Sequence, residues 1–176
     1  KGVMPLDVQE RIFSEIEKIY NDGINKIFIT WYGGEPLLCK NIIYEMSKKI
    51  INISKKKDKE CQFGIITNGF LINEDIVDIF EEIKIKTIQI TLDGNKEIHD
   101  QRRKCIDGSP TFDRIMANIM LLVERGFDVN VRVNIDKSNA KCFDYISNLF
   151  CNIENVKCYP AFVTEEITQT IEQRDK

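Results

Sequence analysis

No stretch of this 176-residue chain approaches the ~18 consecutive apolar residues that a membrane span requires. Lys1-Gly2-Val3-Met4-Pro5 carries no apolar core of a secretory signal. These absences lead us to expect a soluble, intracellular chain located in the cytoplasm. Positive charge is not in excess either: 25 Lys and Arg face 28 Asp and Glu, a formal net charge of −3. A nucleic-acid surface would need a basic patch, so neither nucleic acid nor membrane is an expected partner, and the Lys55-Lys56-Lys57 run reads as a solvated helix end. The cysteines at 39, 61, 105, 142, 151 and 158 include no C-x-x-C pair. Spread widely and without a secretory signal, they are expected as reduced, mostly buried thiols rather than a disulfide framework. The first residue is Lys rather than Met, which suggests an excerpt of something longer.

What is present is an ordinary globular composition, 43% hydrophobic and 30% charged, long enough to bury roughly 70% of the unfolded chain's surface. Val8, Ile12, Ile16, Ile19 and Tyr20 fall at helical spacing between Pro5 and Gly23, which bound a helix of about four turns. Ile27 to Tyr32 is a short apolar run ended by Gly33-Gly34, the pattern of a buried strand in a parallel sheet. Next come a helix carrying Ile42, Ile43, Met46, Ile50 and Ile51, a strand over 61–68, a helix opened by Asn73 and a strand over 87–93. After a longer loop, Ser109-Pro110 or Thr111 starts a helix that stops near Gly126; a strand over 129–135, a helix over 139–150 and a strand over 156–163 complete the series. Strands separated by helices imply right-handed βαβ units and a parallel sheet. A complete eight-stranded barrel needs at least ~200 residues, and this chain begins on a helix. The expectation is therefore an α/β fold, a partial TIM-like barrel with parallel strands, whose first strand is missing from this segment. Residues 1–163 are expected to form its incomplete core domain and 164–176 a polar tail.

Two strands carry a functional signal. Asn130, Arg132 and Asn134 alternate with Val129, Val131, Val133 and Ile135, and Thr87, Gln89, Thr91 and Asp93 alternate with Ile88, Ile90 and Leu92. With helices covering one side of the sheet, the polar faces should line an interior, and a polar interior is the mark of a ligand site. Gly33-Gly34-Glu35-Pro36 stands between a strand and a helix, where parallel α/β folds bind ligands. Its glycines allow close approach to free backbone groups, and the Glu35 carboxylate suits a cationic amine while repelling a phosphate.

Trp31-Tyr32-Gly33-Gly34-Glu35-Pro36-Leu37-Leu38 resembles the GGEP segment of radical S-adenosylmethionine enzymes. Further matches follow in order: Ile66-Thr67-Asn68-Gly69, Thr91-Leu92-Asp93-Gly94, Ile98-His99-Asp100 with Arg103, and Gly108 with Phe112. The series is similar to the subgroup with SPASM or twitch domains, which includes anaerobic sulfatase-maturating enzymes and peptide maturases, and it runs from about Val8 to Val163. The resemblance implies a partial (β/α)6 barrel, with 164–176 leading toward a C-terminal domain. It implies a [4Fe-4S] cluster that reduces S-adenosylmethionine to methionine and a 5′-deoxyadenosyl radical, which modifies a peptide or protein side chain, a small-molecule substrate remaining open. An external electron donor such as flavodoxin or ferredoxin is implied as a partner. By position, Gly33, Gly34, Glu35 and Pro36 would hold the methionine amino group, and Thr91 and Arg103 its carboxylate or ribose. Asn68, Asp93, Arg132 and Asn134 are further cofactor-binding candidates.

The family's C-x-x-x-C-x-x-C cluster motif does not occur in this chain. Its ligand cysteines are expected upstream of Lys1, and the segment alone is expected to be inactive. No catalytic residue and no metal ligand is assigned. His99, the single histidine, is expected as a structural member of its loop rather than a general base, and Cys39 as a buried filler. Asp93 and Asp100 have alternative readings as an Asx-turn and a loop cap, and Trp31, Tyr32 and Phe63 as barrel packing. Two other functions stand beside the radical one: a lyase or isomerase in which Glu35, Asp93 or His99 handles protons, and a non-catalytic S-adenosylmethionine-binding module.

Overall fold

The computed structural model describes residues 3–163; the polar segment 164–176 lies outside the described residues. In chain order the elements are α1 (Leu6–Asn21), β1 (Lys26–Trp31), a 3-10 turn (Pro36–Cys39), α2 (Lys40–Lys56), β2 (Glu60–Thr67), α3 (Glu74–Glu82) and β3 (Ile85–Leu92). There follow α4 (Lys96–Arg102), α5 (Phe112–Glu124), β4 (Asp128–Ile135), α6 (Cys142–Phe150) and β5 (Val156–Phe162). The strands form one sheet in the order β1-β2-β3-β4-β5, with β1–β2 and β4–β5 parallel. Helical crossovers between neighbours are what a parallel ladder demands, and the α/β class with parallel strands is as expected. The chain divides into two compact units: residues up to Thr67 with Leu71–Ile88, and Asn68–Phe70 with the chain from Gln89 onward.

In the first unit, Phe13, Ile16 and Tyr20 form the buried stripe of α1, and the Tyr20 hydroxyl donates to the Glu60 carbonyl at 2.9 Å where β2 begins. β1 corrects an expectation. Its apolar run reads as a buried strand, yet alternate residues are exposed and Phe28 is 53% accessible. The reason is position: β1 is the outer strand of the described sheet. Trp31 and Phe63 are the packing residues expected, with ring centroids 6.4 Å apart in nearly parallel planes and the indole N–H donating to Ser47 Oγ of α2. Tyr32 is not, being 76% exposed just past the strand end. Gly64 lies beneath Phe28, whose ring a Cβ there would meet at 3.0 Å. Asn73 caps α3 as expected, its Oδ1 accepting from the Ile76 N–H.

In the second unit, the stretch read as a long loop contains α4. It is missed from sequence because seven residues hold under two full turns of apolar period; its signal is Asn95, whose Oδ1 accepts from the Ile98 N–H. The expected helix over 139–150 begins only at Cys142, because Asn139 commits its side chain to other backbone groups and does not cap. Thr111 precedes α5 as expected but makes no side-chain cap. Instead Asp100 Oδ1 accepts from the N–H groups of Thr111 and Phe112, at 2.8 and 2.9 Å, so the loop-cap reading of Asp100 is the correct one. The cysteines are free as expected but not mostly buried: only Cys142 is buried, Cys151 is exposed, and Cys39 and the others are half-buried.

His99 is fully buried, with a defined proton. Thr111 Oγ1 donates its hydrogen to the Arg103 carbonyl at 2.8 Å, so it accepts from His99 Nε2–H at 3.2 Å. Nδ1 is then the acceptor for the Asp93 N–H. Burial pushes the imidazole below its ordinary pKa, so the neutral ring is the one the fold holds.

Two outcomes are expected. Asp100→Ala should cost about 1–2 kcal/mol in urea denaturation, as loss of a helix N-cap does, while Asp100→Asn, which keeps an acceptor, should cost much less. For His99, the unfolded chain takes up a proton near about pH 6.5 and the folded one resists it. Stability is thus fully present above about pH 6.5 and is lost as pH falls below it. With a single histidine in the chain, unfolding free energy should fall between about pH 6.5 and 5, and His99→Gln should flatten that slope; a slope that persists in the variant assigns the loss to another group.

Candidate functional site

The turn after β1 is held from inside. Glu35 has extended backbone and Pro36 takes the first position of the 3-10 turn, where its fixed φ suits helical geometry. Glu35 Oε1 accepts from the Leu37 N–H at 3.1 Å and from Thr67 Oγ1 at 2.7 Å. The carboxylate therefore both caps the turn and ties it to the end of β2. A Cβ on Gly33 would meet nothing within 4 Å, and its φ is not in the left-handed region. Neither crowding nor strain from this chain requires a glycine there, which leaves open backbone beside a fixed carboxylate.

In the second unit the ends of β3 and β4 converge on Asp93, 8% exposed. Arg103 Nε donates to Asp93 Oδ2 at 2.6 Å and Nη2 to Oδ1 at 3.3 Å, and Asn134 Nδ2 donates to Oδ1 at 2.8 Å. Burial opposes ionisation of this carboxyl, but the Arg103 hydrogen bond and charge, with the Asn134 amide, outweigh it and hold the pKa below its ordinary value. Asn139 completes the junction. Its Nδ2 donates to the carbonyls of Asp93 and Asn134, both at 2.8 Å, and its Oδ1 accepts from the Asp136 N–H. Asn68 forms an Asx-turn, Oδ1 accepting from the Phe70 N–H, with Gly69 at φ +80°. Asn118 of α5 donates to the Gly69 carbonyl at 2.8 Å. Sequence reasoning missed both Asn118 and Asn139; an asparagine inside the apolar stripe of α5 was the available signal for the first.

The polar strand faces are half-buried while their apolar faces are buried. Thr91 lies two residues before Asp93 on that face, and Tyr159 of β5 donates to Gln89 at 2.6 Å across it. Two atoms on β4 are buried without a hydrogen-bond partner: Arg132 Nε, a donor, and Asn134 Oδ1, an acceptor. Their residues stand two apart on one face of the strand, about 7 Å along the backbone. Each orphan costs about 1–3 kcal/mol, a cost that a ligand offering an acceptor and a donor would offset.

His99 has both ring nitrogens engaged and is not placed to move a substrate proton, which removes one residue from the lyase or isomerase alternative. For an iron–sulfur cluster the residues present do not fit: among the described residues no three His, Cys, Asp or Glu side chains are grouped to hold a metal. Burial pushes the Cys158 thiol up to about 11, which keeps it protonated at neutral pH. No helix among the described residues is long and apolar enough to cross a membrane.

Over 152 residues the chain is 31% identical to the cysteine-type anaerobic sulfatase-maturating enzyme of Clostridium novyi (strain NT), covering 85% of this chain and 39% of that one. It is 27% identical over 161 residues to the serine-type anaerobic sulfatase-maturating enzyme of Bacteroides thetaiotaomicron, covering 90% and 37%. The chain thus spans about two-fifths of the length of these relatives. Among solved structures, native anSMEcpe with bound AdoMet and Cp18Cys peptide superposes with a TM-score of 0.74 at 22% identity, covering 90% of this chain and 44% of that one. That likeness shows a shared fold. The family model for the radical SAM superfamily matches residues 2–148. With the first three of the ordered motifs standing at the ends of β1, β2 and β3, the chain belongs to the radical SAM superfamily.

Proposed function

We propose that this chain supplies the S-adenosylmethionine cradle of a radical enzyme acting on a peptide or protein side chain, with residues 1–163 as its core domain. The observation that carries this reading is the pair of buried, unpartnered atoms on β4, Arg132 Nε and Asn134 Oδ1. A ribose carries two neighbouring hydroxyls, one able to accept from a guanidinium N–H while the other donates to an amide oxygen, so the pair suits a nucleoside. Thr91 and Arg103 are assigned to the carboxylate or ribose, and Arg103 is oriented for this by Asp93. The open backbone of Gly33 and Gly34, with Glu35 and Pro36 fixing the turn, is assigned to the methionine ammonium group. Asn68 and Asp93 act by shaping the loop ends on which those groups stand.

When bound, S-adenosylmethionine supplies the family's hydrogen-abstracting radical. Ligands for the iron–sulfur cluster that this chemistry requires are not found among the described residues. The peptide substrate is supported by the solved relative that holds AdoMet together with a peptide and by sulfatase-maturating relatives. An electron donor of the flavodoxin or ferredoxin kind is the matching redox partner, and free cysteines suit the reducing cytoplasm.

Calorimetric titration of the full-length protein with S-adenosylmethionine, under reducing and oxygen-free conditions, should show saturable binding. Arg132→Met should weaken it about tenfold or more, as loss of a charged hydrogen bond does. The same variant should leave the melting temperature unchanged or raised, because it removes an orphaned donor. Absence of binding by the unsubstituted protein sinks the reading. Binding without 5′-deoxyadenosine formation would establish the non-catalytic module instead.

A further inference from the structure

Between α4 and α5 the second unit carries a small hairpin that the cofactor reading does not use. Lys104 and Pro110 form an antiparallel bridge, the Cys105 N–H donates to the Ser109 carbonyl at 3.0 Å, and the Gly108 N–H donates to the Cys105 carbonyl at 2.9 Å. Gly108 closes the turn at φ +83°, a conformation that costs glycine little. Asp107 Oδ1 accepts from the Ser109 N–H and hydroxyl. This cross-bracing holds Ile106 wholly exposed at the tip. Beside it opens a cavity of about 730 Å³, with Phe70 and Ile115 in its walls and Lys104 and Ile106 on the hairpin side. Its size falls in the range of ligand sites.

The charges around this cavity are unequally satisfied. Arg102 pairs with Asp136 at 2.8 Å and Arg103 with Asp93 at 2.6 Å, so both cations are matched. Lys104 is exposed and has no ion-pair partner among the described residues. Arg114, close by, stacks on the Phe70 ring at 4.2 Å rather than on a carboxylate. Among the residues lining the cavity the one carboxylate is Asp107, already hydrogen-bonded within the hairpin. The cavity thus sets the apolar Phe70, Ile106 and Ile115 among polar residues, and its hairpin side has positive charge to spare. The cavity also shares Asn68 and Arg103 with the candidate cofactor residues, which puts any occupant next to the chemistry.

We propose that this cavity is a specificity pocket for the peptide substrate, taking an aliphatic or aromatic side chain against Ile106 and Phe70 with a neighbouring carboxylate at Lys104. The inference rests on the peptide reading above and names the residues such a peptide would carry.

The test uses full-length protein labelled at isoleucine δ1 methyl groups, with the Ile106 signal assigned by Ile106→Val. The probes are acetyl-Gly-Leu-Glu-Gly-amide and its Gln and Lys counterparts. The Glu peptide should move the Ile106 methyl saturably and bind about fivefold more tightly than the Lys peptide, the effect of one partly exposed ion pair. Lys104→Glu should reverse that order. Both positions are exposed, so neither substitution threatens folding. Equal response to the three peptides, no response up to their solubility limit, or a shift produced by S-adenosylmethionine in place of the peptides would overturn the proposal. Calorimetry on the same sample separates the two failures: cofactor binding without peptide discrimination defeats this inference alone, and loss of both defeats the reading beneath it.

Discussion

A carboxylate whose side chain is only 11% exposed stays ionised inside a protein only where other groups replace its water, and Asp93 obliges the second unit to supply them. Arg103 reaches it from the end of α4 and Asn134 from β4. Its own backbone is used as fully, the N–H by His99 and the carbonyl by Asn139. These bonds fix where β3 ends, where α4 turns out and where β4 stops. Removing a partner would leave this carboxylate with too few groups in place of its water, so the junction has few alternative arrangements. The neutral imidazole belongs to the same arrangement: a protonated ring would confront the Asp93 N–H with a second donor.

The first unit meets a different constraint with different means. At Gly33 and Gly34 no side chain can supply contacts, so whatever binds there must meet backbone, and backbone is useful only when held still. Glu35 does this by bonding forward to Leu37 and across to Thr67, and Pro36 removes an N–H that would otherwise need a partner. A ligand met by such a turn loses little affinity to ordering the protein. The carboxylate that sequence reasoning assigns to an amine is in the structure first a brace for the turn, and the two roles are compatible because a carboxylate offers about four acceptor sites.

Much of the architecture is legible in the sequence because apolar residues repeat with the period of the element that buries them. Ile115, Ile119 and Leu122 mark α5, and Val129, Val131 and Val133 mark β4, from spacing alone. Where burial does not follow composition, the reading fails. Phe28 belongs to an apolar run but lies on an outer strand, and Tyr32 stands past its end. The α4 helix is too short and polar to show a period. For the site, the ordered motifs identify the residues but not their pairings. Asn118 and Gly69 are 49 positions apart, and Asn139 and Asp93 46, so their bonds depend on tertiary approach that no local pattern encodes. Asp100 is legible as a cap but not as the cap of a helix starting at Phe112.

What separates a structural polar residue from a binding one in this fold is whether its neighbours already satisfy it. Asn139 gives both amide hydrogens to carbonyls and takes one N–H, so its donors are spent and its oxygen is engaged within the fold. Asn134 gives a hydrogen to Asp93 yet keeps a buried oxygen without a donor, and Arg132 keeps a buried N–H without an acceptor. Hydrophobic patterning cannot distinguish these residues, since each is a polar side chain among valines and isoleucines. Their hydrogen bonds can, because a fold selected for stability alone would replace a side chain holding an orphaned polar atom with an apolar residue of the same shape at little or no cost. That Arg132 and Asn134 stand on the polar face of β4, beside a junction that is otherwise fully satisfied, is the physical reason to read this face as one that waits for a polar ligand.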